Sequence, residues 1–378
     1  MRHGIVIVGG GLAGQRCAET LRRSGYDGRI VCAERHRPYD RPPLSKDVPA
    51  ASDAHLAFRP EAWYEDNRVE LLLGVRATHL RPRHHELALD DGSTIGYDLL
   101  VVATGSHPRR LPQLERFANV STLRTREDAH ALRAALVPGA RLAIVGAGFI
   151  GQEVAAAARG AGVQTTLIEA APVPLDGVLG RAQGEWFAAL HRAHGVDLRL
   201  GRQVAEVSGN GRAESLRLDD GATIRCDHVL VGIGVQPDLD WVTGSGLDPS
   251  GIRTDAIGQT NVLDVWAAGD AAAVFDPVLR RHVAGGHWES AARQGARVAR
   301  AMLGLQPGAL PPSSFWSDLY GTRVHYLGHA RVTDEVSVDG DPDARDFTAT
   351  FTRFGRPVAV LLVGRAQELP AARQLLAA

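Results

Sequence analysis

GIVIVGGGLAG at residues 4–14 and LAIVGAGFIG at residues 142–151 carry the same signal twice, an apolar strand running into a glycine turn. Gly9, Gly11 and Gly14 are spaced G-x-G-x-x-G, and Gly146, Gly148 and Gly151 repeat that spacing 137 positions later. In such a turn the first glycine permits the tight bend, the second lets the backbone approach a pyrophosphate, and the third lets helix and strand pack closely. The N-terminus of the following helix then faces the phosphates. Each copy continues into an alanine-rich stretch suited to a helix and then a strand closed by an acid, RIVCAE at 29–34 and TTLIE at 165–169. Glu34 stands 20 residues after Gly14 and Glu169 stands 18 after Gly151, where a carboxylate accepts hydrogen bonds from a ribose. One glycine turn can be only a turn. Two complete βαβ starts, each with its acid, predict an α/β chain with two Rossmann-type dinucleotide-binding units.

Working outward, 378 residues allow two or three domains. The charges nearly cancel, 42 basic against 43 acidic, which points away from nucleic acid and anionic membrane surfaces and toward small molecules or another protein. Met1 leads directly into the apolar run Ile5 to Val8 without the pattern of a signal peptide, and no run approaches membrane-spanning length. Cys17, Cys32 and Cys226 are too scattered for a metal-ligand pair or a disulfide framework and read as core residues in a reducing cytoplasm. ELALDDG at 86–92 and SLRLDDG at 215–221 read as hairpin or crossover strands. GALPPSSF at 308–315 reads as a linker into a last unit from about Phe315, where VHYLGHA, DFTATFTRF and VAVLLV predict a small antiparallel sheet and a helix follows from about Glu368.

Glu169 also bears on the choice of nicotinamide cofactor. A carboxylate there bonds a free 2′-hydroxyl and repels a 2′-phosphate, and residues 170–180 contain no Lys or Arg, so NADH is expected over NADPH. Arg181 is the first basic residue that could reverse this.

Seven further segments, RPYDRPPLSK (37–46), ATGSHPRRLP (103–112), LRTREDA (123–129), GAGFIGQEVA (146–155), GIGVQPD (232–238), VWAAGDAA (265–272) and FWSDLYG (315–321), complete a pattern. With them the chain resembles, over nearly its whole length, the FAD-dependent pyridine-nucleotide oxidoreductases. Within these it resembles the oxygenase-coupled ferredoxin reductases of the putidaredoxin reductase type. The resemblance implies a glutathione reductase-like arrangement, with an FAD domain at 1–112 and 238–309, an NAD domain at 113–237 and an α+β C-terminal domain at 310–378. It implies FAD contacts at Gly9, Gly11, Ala13, Gly14, Glu34, Arg41, Lys46, Ala77, Thr104, Gly105, Arg124, Gly269, Asp270, Trp288 and Trp316. NAD contacts are implied at Gly146, Gly148, Ile150, Gly151, Glu153, Glu169, Gly232 and Gly234. Lys46 would lie near the reactive flavin nitrogen, where a fixed cation favours a reduced, anionic ring; Ser45 also reads as a helix cap with Lys46 solvated. Glu153 is implied in positioning the nicotinamide; from the residues alone it is an acid in a helix's first turn. Read without the family, Asp270 also fits a helix N-cap, Gly232 and Gly234 an ordinary strand-end turn, and Trp288 and Trp316 core positions.

NADH gives electrons in pairs and an iron–sulfur protein takes them singly, which a flavin can reconcile. Related disulfide reductases pass electrons through a cysteine pair, but the matching loop here, RPYDRPPLSK, has none. The expected route is therefore NADH to FAD to a ferredoxin serving a monooxygenase or dioxygenase, in a monomer or weak dimer. Arg293, Arg297 and Arg300 share a helix face by i, i+4, i+7 spacing and, with Arg280 and Arg281, would dock an acidic ferredoxin or form a solvated basic face. Lys46, Glu153 and Trp316 are the candidate catalytic residues. Two departures stand out: Ala284, Gly285 and Gly286 fall where relatives carry Arg-x-Glu, and Leu319 falls where they carry glutamine. An NADH oxidase or peroxidase, which needs a reactive cysteine, and an apoptosis-inducing-factor-like NADH-responsive flavoprotein are the alternatives.

Overall fold

The computed structural model describes residues 3–46, 56–277, 279–284, 286–308 and 312–377. Gly285 and the centre of the expected linker, 309–311, lie outside the described residues, as does Met1. The described chain forms two units, one from 3–40, 56–107 and 236–308, the other from 41–46, 108–235 and 312–377.

In the first unit Ile5–Val8 is the central strand of a five-stranded parallel sheet. The order is Val265–Ala267, Leu99–Val102, Ile5–Val8, Ile30–Glu34, Val69–Leu73. A strand buried on both faces has no polar alternation, which is why IVIV reads as a continuous apolar run. Its side chains still divide by the two-residue period. Ile5 and Ile7 join the core made with the helices Leu12–Arg23 and Trp288–Met302, while Val6 and Val8 join the opposite core with Leu80, Leu87 and Trp241. The two helices approach closely at Gly295, where an added Cβ would lie 2.0 Å from the Ala13 carbonyl oxygen. The expected strand at 86–92 lies in a three-stranded antiparallel sheet, Ala77–Arg81, Glu86–Leu89 and Thr94–Gly96.

The second unit repeats the plan around Arg141–Val145. Its parallel sheet runs Asp197–Leu200, Gln164–Glu169, Arg141–Val145, His228–Val231, Val120–Ser121, and the helix Phe149–Gly160 follows the glycine turn. The strand at 215–218 lies in a second antiparallel sheet with Val204–Ser208 and Thr223–Arg225. The C-terminal segment forms a five-stranded antiparallel sheet ordered Ser314–Leu319, Thr322–Gly328, Arg356–Val363, Asp346–Arg353, Glu335–Asp341, followed by the helix Leu369–Ala377. It shares a core with the helix Asp176–Ala193, in which Leu179, Phe187 and Leu190 meet Phe315, Leu319 and Phe347. Leu319 is 1% exposed there, so an apolar residue suits the position.

Asp334 fixes the entry to the outer strand of this sheet. Its carboxylate accepts two bonds of 2.7 Å from the Arg353 guanidinium and one of 2.7 Å from the Arg331 N–H. The side chain is 1% exposed and its partner's 16%. The Arg353 hydrogen bonds hold the Asp334 carboxyl below the usual carboxylate range. A depressed folded-state pKa gives stability that is complete above the unfolded value, ~3.9, and is lost as pH falls through the folded one. Asp334→Asn is therefore expected to destabilise the protein by about 3 kcal/mol at pH 7. In chemical denaturation the gap from wild type should close as pH drops below that range; a gap independent of pH would rule the pairing out as its cause.

Candidate active site

The two glycine turns are built alike to the atom. Gly9 and Gly146 bend at φ +105° and +106°, and an added Cβ at either would fall 2.3–2.4 Å from a carbonyl oxygen of the neighbouring strand end, that of Ala103 or Gly232. At Gly14 and Gly151 a Cβ would lie 2.0 Å from the carbonyl of the first glycine of its own turn. Gly11 and Gly148 are the helix N-caps; neither has a side-chain cap, and neither helix has an acid in its first turn. The first N–H groups and the positive end of each helix dipole are thus left for an anion. Glu34 Oε2 accepts from the Gly10 N–H at 2.6 Å and Glu169 Oε2 from the Ala147 N–H at 2.6 Å. Their other oxygens accept from the N–H groups of Arg35 at 2.8 Å and Ala171 at 2.9 Å. The donor sets fit a dinucleotide in each unit, with phosphates at the helix end and the ribose at the carboxylate. Ile150 lies in the first turn of the second helix, and Gly232 donates to the Val145 carbonyl at 2.8 Å while Gly234 accepts from the Arg109 N–H at 2.9 Å.

The three candidate catalytic residues converge in the second unit. Glu153 is the fifth residue of the helix Phe149–Gly160, in its second turn, and is 3% exposed. The expectation of a first-turn acid stabilised by the macrodipole is therefore corrected: what holds this carboxylate is a set of donors from distant segments. Ser45 Oγ donates at 2.5 Å, Ser317 Oγ at 2.7 Å, and Lys46 Nζ both donates and forms the ion pair. The Lys46 ammonium also lies over the Trp316 ring, 5.7 Å from its centroid. Ser45 sits inside the short helix Pro43–Lys46 with its hydroxyl on Glu153, and Lys46 is 16% exposed, so neither the capping nor the solvated reading holds. A buried carboxylate costs several kcal/mol unless paired, and this one meets a cation and two hydroxyls. In the same unit the Arg41 carbonyl accepts from Leu44 N–H at 2.9 Å, and the Arg124 N–H donates to Asp128 beside the Thr125 capping box.

In the first unit Asp270 accepts from Ser106 Oγ at 2.6 Å within the 3-10 turn Gly269–Ala271, whose N-cap is Ala268. The helix-cap reading of Asp270 is corrected accordingly. Thr104 Oγ1 donates to the Asp238 carbonyl at 2.8 Å, and the Gly105 carbonyl accepts from the Asp238 N–H at 3.1 Å. Ala13 packs beneath Gly295 and near Gly269, Ala77 packs on the sheet core, and Trp288 Nε1 donates to Asp40 at 2.7 Å. The aspartate partner of Trp288 and the serine donors to Glu153 had no periodic signal to reveal them.

The family model described as pyridine nucleotide-disulphide oxidoreductase matches residues 3–295, and one described as reductase C-terminal matches residues 314–378. The chain belongs to the pyridine nucleotide-disulphide oxidoreductases. The ferredoxin–NAD(+) reductase component of an anthranilate 1,2-dioxygenase system from Burkholderia cepacia is 38% identical over 99% of this chain and 94% of its own length. That of a benzene 1,2-dioxygenase system from Pseudomonas putida is 34% identical over 100% and 93%. A chain in the crystal structure of the covalent putidaredoxin reductase–putidaredoxin complex matches with a TM-score of 0.95 at 32% identity, covering 99% of this chain and 92% of that one.

Although the family is named for disulphide chemistry, this oxidoreductase has no thiol pair at hand. Cys17, Cys32 and Cys226 are buried and unbonded to one another, and burial pushes the Cys17 thiol up to about 12 and the Cys226 thiol up to about 11. Thiolate chemistry is closed to them at neutral pH. Arg181 pairs with Glu185 at 3.1 Å on the helix surface. Of the arginine stripe, Arg293 pairs with Glu289, Arg297 donates to the carbonyls of Ala256 and Gly308, and Arg300 to that of Gln306. Arg281 lies on the strand Arg281–Ala284 and Arg280 in the turn before it. No described helix is long and apolar enough to cross a membrane.

Proposed function

We propose that this chain is an FAD-dependent NADH:ferredoxin oxidoreductase serving a mono- or dioxygenase, with FAD on the domain 1–112 and 238–309, NADH on 113–237, and the α+β domain at 310–378. The observation that carries the reading is the duplicated glycine turn, uncapped in both copies and backed in both by its own carboxylate. The FAD site takes Gly9, Gly11, Ala13, Gly14, Glu34, Arg41, Lys46, Ala77, Thr104, Gly105, Arg124, Gly269, Asp270, Trp288 and Trp316. Bound there, FAD accepts electrons as a pair and releases them singly. Glu169 binds the free 2′-hydroxyl of NADH and Glu153 anchors the Lys46 ammonium. The three cysteines, buried and unbonded to one another, disfavour the oxidase and peroxidase reading, and their free thiols suit a reducing cytoplasm.

Stopped-flow reduction of the yellow holoprotein, followed by mixing with oxidised ferredoxins, tests the proposal. NADH is expected to reduce the flavin much faster than NADPH, and an oxygenase ferredoxin to reoxidise it. Flavin that stays oxidised under excess NADH overturns the reading; a long-lived reduced complex indifferent to every ferredoxin points instead to an apoptosis-inducing-factor-like responder. Arg280, Arg281, Arg293, Arg297 and Arg300 form the proposed docking face of a monomer or weak dimer. Replacing the last three with alanine should raise the KM for ferredoxin steeply at low salt and leave dye reduction intact, and unchanged ferredoxin kinetics would remove the docking role.

A further inference from the structure

Gln15 and Gln152 hold the same place in the two copies of the turn, one residue past the third glycine, and both are buried. Their partners differ. Gln15 Nε2 donates to Glu19 at 3.0 Å and its Oε1 accepts from the Tyr64 hydroxyl at 2.7 Å. Gln152 Nε2 instead donates into its own glycine turn, to the Ala147 carbonyl, at 3.0 Å. Its Oε1 lies 3.2 Å from His191 Nε2, and His191 Nδ1 lies 2.8 Å from the Tyr320 hydroxyl. With the amide nitrogen donating, Oε1 must accept, so Nε2 carries the imidazole hydrogen and Nδ1 accepts from the tyrosine. His191 is fully buried, and burial lowers its pKa to about 4, in keeping with the neutral ring this chain of bonds requires. Tyr320 turns at φ +51° between the strands Ser314–Leu319 and Thr322–Gly328, its ring stacked on His194 with centroids 3.8 Å apart.

Ala147 is consequently held from both sides, its N–H by Glu169 and its carbonyl by Gln152. In a planar trans peptide the carbonyl of one residue and the N–H of the next point in opposite directions. Fixing the Ala147 carbonyl therefore fixes the direction of the Gly148 N–H, the helix N-cap donor where a pyrophosphate must approach. We infer that Gln152, His191 and Tyr320 are positioning residues for the nicotinamide dinucleotide, through which the C-terminal hairpin sets the aim of the phosphate-binding turn. This rests on the reading of the second unit as the NADH site.

The test uses FAD-loaded holoenzyme with a dye acceptor. Gln152→Met keeps the volume and removes both bonds, and His191→Leu removes the ring that orients the amide; each is expected to raise the KM for NADH about tenfold, near 1.4 kcal/mol, with a far smaller change in kcat. His191→Gln retains a donor and should recover most of the loss, and Tyr320→Phe, which removes one hydroxyl and keeps the stack, should raise KM two- to threefold, about 0.5 kcal/mol. A KM within error of wild type in folded, flavin-loaded Gln152→Met overturns the inference, as does a fall in kcat alone. Should the buried variants fail to fold, Tyr320→Phe decides, and an unchanged KM in it overturns the inference. Failure of wild-type enzyme to oxidise NADH would instead refute the function proposed above, since no ratio could then be formed.

Discussion

Gly14→Val is expected to yield a colourless protein, and Gly151→Val a yellow one that dithionite reduces and NADH does not. The reason is the same in each copy. A Cβ at either position falls 2.0 Å from a backbone carbonyl oxygen, that of Gly9 or Gly146, well inside contact distance, and a backbone carbonyl cannot swing aside as a flexible side chain can. The helix must lift off its strand and carry its first N–H groups away from the phosphates. The two turns serve separate sheets, Ile5–Val8 with its neighbours and Arg141–Val145 with its own, so the losses should be separable. Flavin absorbance after purification reads the first, and flavin bleaching by NADH the second. Stoichiometric flavin in Gly14→Val, or wild-type bleaching in a folded Gly151→Val, would refute the assignment of one dinucleotide to each turn.

The legibility of these turns follows from locality. The glycines, the preceding apolar strand and the acid closing the next strand all fall within about 30 residues, the span of one βαβ unit, so their spacing alone carries the geometry. The site around Glu153 is different. Ser45 and Lys46, Glu153, and Ser317 come from three segments more than 100 residues apart. The family resemblance names Lys46, Glu153 and Trp316 without saying that they touch, Ser45 reads from the sequence only as a helix cap, and nothing singles out Ser317. The first-turn reading of Glu153 fails as well, because the helix starts after its N-cap Gly148 and Glu153 is its fifth residue. The strand Glu335–Asp341 carries a weaker signal: Val336 and Val338 alternate with polar residues over only a few positions, both faces are exposed, and its register with Asp346–Arg353 is what defines it. The i, i+4, i+7 arginines had a true helical spacing, but spacing could not foretell that Arg297 and Arg300 would be engaged by backbone carbonyls.

Lys46→Met is expected to slow NADH-driven flavin reduction by about a hundredfold, the range lost when one preorganised charge is taken from a reacting centre. It should also cost stability, about 3 kcal/mol, because Glu153 is left buried with two hydroxyls and no cation. Slow turnover in a weakened protein could reflect either loss, and the chemistry of the pair supplies the separation. Replacing both partners of a buried ion pair with apolar residues of similar volume is often neutral, since no uncompensated charge remains. Lys46→Met combined with Glu153→Met should therefore recover most of the lost stability while reduction stays slow, because the ammonium beside Trp316 is still missing. Denaturant melts report the first quantity and single-turnover reduction by NADH the second. If reduction recovers along with stability in the double variant, the cluster is a brace for the helix Phe149–Gly160 and Lys46 has no part in electron transfer.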